Sequence, residues 1–187
     1  MNRKSAIIEM RAVFEVLSND IEEIREYGKS NKSEFAERTL LRTHFAFIEG
    51  MTHQLKLVAL CAASEHPSIF TSKELTVLKE EQYSLNKKGE IETKDNYQKL
   101  MPMMLFTINC YTKAHGGNYK PKTGVHGWEA MKDYLKIRNN LMHPKSTSDL
   151  KLDDNKLKIS IDAAEWFKKT MQEMFDNCSV DNTENGK

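Results

Sequence analysis

The sequence predicts an all-α fold of about four long helices with a short insertion. Two observations carry this. Apolar residues recur at alternating steps of three and four along the long segments. Turn and breaker residues cluster between those segments. The chain has 187 residues, 39% hydrophobic and 29% charged, which suits one globular domain over residues 1–178 with a real core.

The first helix is expected over Ser5 to Tyr27, where Ile7, Met10, Phe14, Leu17, Ile21 and Ile24 form one stripe. Gly28 is expected to end it, and a polar GKSNKS loop follows. Ser33 can cap the next helix, Glu34 to about Ser64. That helix carries Leu41, Phe45, Ile48, Met51, Leu55, Val58, Ala59 and Ala62 on one face. Gly50 lies inside it and allows a close helix crossing, and the two helices should pair antiparallel.

His66-Pro67 breaks the pattern. Residues 65–95 then form the insertion. It holds a short helix from Lys73 to about Tyr83, capped by Ser72, and a polar hairpin or loop, LNKKGEIETKDN, turning at Gly89. A third core helix is expected over Pro102 to Ala114, with Leu105, Ile108 and Tyr111 inward and Pro102 in its first turn. HGGNYKPKTGVHG, residues 115–127, is a Gly- and Lys-rich loop that matches neither GxxxxGK[ST] nor GxGxxG. A fourth core helix runs from about Gly127 to His143, where Pro144 ends it. After a polar loop and a short extended piece, LKIS, a last helix is expected over Ile161 to Asn177, with Ala164, Phe167, Met171 and Met174 on its face. The polar tail SVDNTENGK is expected to be disordered.

Composition excludes several classes. Net charge is +1, so the chain as a whole is no polyanion binder. The window from Lys113 to Lys145 nevertheless carries +5. Three scattered cysteines, Cys61, Cys110 and Cys178, argue against a disulfide scaffold and for a reducing cytoplasm. MNRKSAIIEMRAVFEV has no unbroken apolar stretch of the kind a secretory signal needs. No run approaches the roughly 18 apolar residues of a membrane span, so no membrane partner is expected. The six histidines form no HxxxH or HExxH pair, so no metal and no cofactor is expected.

The informative stretch is IRNNLMHP, Ile137 to Pro144. On a helical wheel Arg138 falls in the middle of the apolar arc defined by Trp128, Met131, Leu135, Leu141 and Met142. An arginine there must be paired, open onto a cleft, or face a partner subunit, because an unpaired buried charge is too costly. A second-helix acid such as Glu49 would serve as the pair, with His143 as a helix cap. His143 lies about 140° round the wheel from Arg138, with Asn139 between them. Pro144 can release His143 from the helix, or a second subunit can supply the other half of a shared cluster.

Guanidinium, carboxamide and imidazole together suit RNA phosphodiester chemistry. Guanidinium binds phosphate in a fork geometry, and a histidine exchanges protons near neutral pH. The helix C-terminus favours a protonated His143. Arg138, Asn139 and His143 are thus the candidate catalytic residues. Lys136 and Lys145, on either side, are the candidate substrate-binding cations.

R-N-x-x-x-H near the end of a late helix, in an all-α chain of this length, resembles the HEPN superfamily (higher eukaryotes and prokaryotes nucleotide-binding). Its signature is Arg-x4-6-His, most often with Asn, Asp or His after the Arg. RTHFAFIEGMTHQLK, Arg42 to Lys56, is similar in a looser way to the second helix of several such families. The resemblance implies an up-and-down helical bundle that dimerises through the motif-bearing helix, so that two motif ends share a cleft. Many members are metal-independent endoribonucleases of toxin–antitoxin, abortive-infection or phage-defence systems, some held by an antitoxin or regulatory partner. Others are non-catalytic RNA-binding, nucleotide-binding or dimerisation modules. In the nuclease members' pattern Arg138 would hold the scissile phosphate, His143 would be general acid or base, and Asn139 would orient His143 or the RNA. The products would carry a 2′,3′-cyclic phosphate and a 5′-OH. One toxin group extends the motif to Arg-x4-His-x-Tyr; here Lys145 stands in the tyrosine's place. Three readings therefore stand: nuclease, binding or dimerisation module, and an ordinary helical protein in which Arg138 is only an ion pair.

Overall fold

The computed structural model describes residues 1–178; the tail expected to be disordered, 179–187, lies outside the described residues. Among the described residues the fold is mostly helical. It has six α-helices, α1 (Arg3–Ser30), α2 (Glu34–Glu65), α3 (Ser72–Leu78), α4 (Leu100–Ala114), α5 (His126–Met142) and α6 (Asp154–Asn177). One two-stranded antiparallel sheet, β1 (Glu81–Leu85) with β2 (Ile91–Asp95), lies between α3 and α4. No described helix is long and apolar enough to cross a membrane.

Two compact units are formed. The first comprises Met1–Met10, Thr52–Lys120 and the segment from Asp176, and the second Arg11–Met51 and Pro121–Phe175.

In the second unit α1 and α2 pair antiparallel: Phe14 stacks edge-on against Phe47, while Arg25, further along α1, meets His44, earlier in α2. Gly50 gives the close crossing, since a Cβ there would stand 2.8 Å from Leu17 Cδ1. Within α1, only Ala6 and Met10 are buried, and Phe14 is 48% exposed, so the expected stripe is only partly covered. Gly28 does not end α1. The helix continues to Ser30, with Asn31 donating through its backbone and side-chain nitrogens to Tyr27 O. Ser33 caps α2 as expected, its Oγ accepting from Ala36 N. Leu41, Phe45 and Ile48 are buried. Tyr134 packs on Phe45 and donates its hydroxyl to Leu41 O at 2.6 Å. On α6, Trp166 packs against Trp128 and Gly127. LKIS is helical, not extended: Asp153 Oδ1 accepts from Lys156 N and starts α6 three residues before Leu157. Ala163 rather than Ala164 is fully buried on that helix, beside Phe167, Met171 and Met174.

In the first unit Ala59, Ala62, Phe70, Leu78, Cys110 and Ala114 form one apolar cluster. The cap of α3 is Thr71 rather than Ser72, through a reciprocal bond pair with Glu74. This helix stops at Leu78, short of Tyr83, because Glu80 takes a left-handed φ of 53° and turns the chain into β1. Lys56 holds the Glu80 carboxylate at 2.6 Å, and Gln98 N donates to it as well. Gly89, at φ 78°, makes the hairpin turn. In α4, which starts at Leu100, Ile108 and Tyr111 are buried, but Leu105 is only half-buried; Met101 and Met104 fill the inward face instead.

Candidate functional site

The end of α5 belongs to the second unit, and α2 supplies its neighbours. Trp128, Ala130, Met131, Tyr134, Ile137 and Leu141 are buried. Leu135 and Met142, counted with the apolar arc, sit at its edge: Leu135 is half-buried and Met142 is 47% exposed. Arg138 is half-buried beside them, as its wheel position requires.

Its side chain has three partners. Nη2 donates to Glu49 Oε1 at 2.9 Å and Oε2 at 2.8 Å. Nη1 donates to Asn139 Oδ1 at 3.1 Å. The guanidinium carbon lies 5.2 Å from the centre of the Phe45 ring, a cation–π distance. Phe45 and Glu49 are four apart on α2, so one helix face supplies both the ring and the acid. The charge is therefore compensated within the chain.

His143 caps α5. Its N–H donates to Asn139 O at 2.9 Å, and its backbone has left the helix (φ −131°, ψ 60°). Pro144 follows and fixes that exit. The imidazole is exposed, and no described side chain bonds to it. Arg138 and Asn139 are thus joined through side chains, and Asn139 and His143 through the backbone. Arg138 and His143 make no bond to each other. Of the flanking lysines, Lys136 is exposed and ion-paired to Asp133 at 2.8 Å, and that bond raises its pKa. Lys145 is exposed, and its N–H donates to Asp149 at 2.8 Å.

A further guanidinium reaches this helix end. Arg42 Nη2 donates to Leu141 O at 2.7 Å. Reading the α5 motif alone passes over Arg42. The signal for it was its spacing, three before Phe45 and seven before Glu49, which puts all three on one face of α2. Arg38, one turn earlier, is paired with Glu34 and donates to Leu150 O.

A separate hollow of about 260 Å³ lies in the first unit, lined by Glu74, Phe106, Asn109, Cys110, Lys113 and Lys120. Lys113 there is ion-paired to Glu74. Burial pushes the pKa of the Cys110 thiol up to about 12, which disfavours the reactive thiolate. None of the candidate residues from the α5 motif lines this hollow. Among the described residues, no group of three or more His, Cys, Asp or Glu side chains is placed to hold a metal.

No family model, curated protein or solved structure matches this chain.

Proposed function

We propose that this chain is a metal-independent endoribonuclease that works as a homodimer, with its site at the C-terminal end of α5. The observation that supports this reading is the linked set Arg138, Asn139 and His143, with an exposed imidazole at the helix end. RNA cleavage by transesterification needs one proton removed from the 2′-OH and one given to the departing 5′-oxygen. One chain offers a single exposed histidine at this helix end. A second copy across a two-fold axis would supply the other.

In this reading the 2′-oxygen attacks phosphorus and the bond to the 5′-oxygen breaks, leaving a 2′,3′-cyclic phosphate and a 5′-OH. His143 exchanges one of the two protons. Arg138 faces the charge on the phosphate, with Glu49 and Asn139 fixing its direction. Lys136 and Lys145 add long-range attraction for RNA. A HEPN-like bundle, a cytoplasmic setting in toxin–antitoxin or phage defence, and control by an antitoxin or regulatory partner belong to the same reading.

A second reading has an observation in its favour. Glu49 occupies Arg138, which suits a non-catalytic HEPN-like module that binds RNA or nucleotide, or that dimerises. Cleavage of RNA by the purified protein in EDTA separates the two, with His143→Ala and Arg138→Ala alongside. Cleavage to cyclic-phosphate ends that both variants lose is the expected result. No cutting, or equal cutting by all three proteins, overturns the nuclease reading.

A further inference from the structure

We infer that Arg42 is the phosphate-binding guanidinium of this helix end; the inference rests on the nuclease reading for its substrate, RNA. Three arginines stand at or near the end of α5, and two are matched by acids: Arg138 by Glu49 and Arg38 by Glu34. Arg42 is half-buried, and no carboxylate of the described residues pairs with it. Its Nη2 bonds to Leu141 O. Its Nε is buried without a partner. Its Nη1 is not among the fully buried unpartnered atoms, and no hydrogen bond is made through it to a described residue.

A half-buried charge without a counter-ion is costly, and an anion at Nη1 would offset that cost. The position fits as well. Leu141, whose carbonyl Arg42 holds, is two residues before His143, so the guanidinium and the exposed imidazole belong to the same end of α5. The last carbonyls of a helix repel a phosphate, and a cation bonded to one of them reverses the local sign. Arg42 therefore makes this end of α5 fit for an anion. Arg138, already held by a carboxylate, positions and polarises the same phosphate at lower net charge.

The test uses the full-length protein and a 2′-O-methyl RNA oligonucleotide, which binds but lacks the attacking hydroxyl. Affinity is measured across a KCl series for wild type and for Arg42→Gln, which removes the charge together with the bond from Nη2 to Leu141 O. Each phosphate contact on single-stranded RNA contributes a slope of about 0.7 in log K against log salt. We expect Arg42→Gln to lower the slope by about that amount and to weaken binding about tenfold at low salt. An unchanged slope with a lowered urea midpoint would make Arg42 a helix cap only and overturn the inference. Cleavage of ordinary RNA in EDTA is scored in parallel. Wild type that cuts, with an unchanged slope in Arg42→Gln, sinks the inference and spares the nuclease. A wild type that binds but never cuts, with the slope lowered in Arg42→Gln, supports Arg42 and sinks the nuclease. No binding by wild type overturns both.

Discussion

The two carboxylate oxygens of Glu49 stand 2.9 and 2.8 Å from one nitrogen of Arg138, Nη2. The pair is not a two-nitrogen fork: Nη1 is turned to Asn139 instead. Arg138 and Glu49 keep 23% and 37% of their side-chain surface in water, so solvent screens much of the attraction. The Phe45 ring under the guanidinium adds packing that salt does not screen.

From this geometry a double-mutant cycle should give unequal arms. Glu49→Ala should cost about 0.5–1 kcal/mol. Arg138→Ala should cost about 1–2 kcal/mol, since it also loses the stem and ring contact. The double variant should fall short of the sum by about 0.5–1 kcal/mol, read from urea midpoints. A coupling of zero would mean that the pair carries no energy. If RNA is the ligand, Glu49→Gln should also tighten its binding, because one acid fewer faces the phosphate.

Two helical glycines should respond differently to alanine. A Cβ at Gly127 would stand 2.5 Å from Trp166 Cβ, an atom next to the backbone that cannot swing away. Gly127→Ala should destabilise by about 1–3 kcal/mol. At Gly50 the obstacle is Leu17 Cδ1 at 2.8 Å, the far end of a flexible side chain. The gain in helix propensity, up to about 1 kcal/mol, should leave Gly50→Ala near neutral. Thermal melts that reverse this order would contradict the packing described.

Stability should fall in mild acid because of His44. Burial, then the nearby Arg25, lowers its pKa from 6.5 to about 4. Its Nε2 lies 3.3 Å from an Arg25 nitrogen, a bond that needs the neutral ring's lone pair. The folded pKa lies below the unfolded one, so this contribution is present above pH 6.5 and is lost as pH falls toward about 4. His53, also lowered by burial first, adds in the same direction. Urea midpoints measured from pH 7 to pH 4.5 should drop, and His44→Gln should flatten most of the slope. An unchanged slope would remove His44 from the account.

The sequence makes α2 legible almost whole, because Leu41, Phe45, Ile48, Met51, Leu55, Val58, Ala59 and Ala62 all face a core. It is less informative for α1, where hydrophobic spacing gives the helix but not how much of its stripe is covered; Phe14 remains largely exposed. LKIS is misread because a β-branched residue among lysines suits a strand locally, while the Asp153 cap just upstream decides for helix. The end of α3 is hidden because a left-handed Glu80 is held by Lys56, a residue 24 positions away. At the site, Arg138's place in the apolar arc required a partner, and Glu49 was within reach of the pattern. Which acid, and through which nitrogen, depends on how α2 and α5 pack, and no single helix encodes that.

Glu49 is followed in sequence by Gly50, where α2 crosses α1 at Leu17. The motif thus has a mechanical back door. A large side chain at Gly50 would lever α2 away from α1 and drag the acid that steers Arg138 with it. If the chain cuts RNA as proposed, a random screen for inactive alleles would recover such changes alongside changes at His143. Genetics alone would draw this site wider than its chemistry, and binding isotherms would be needed to redraw its border.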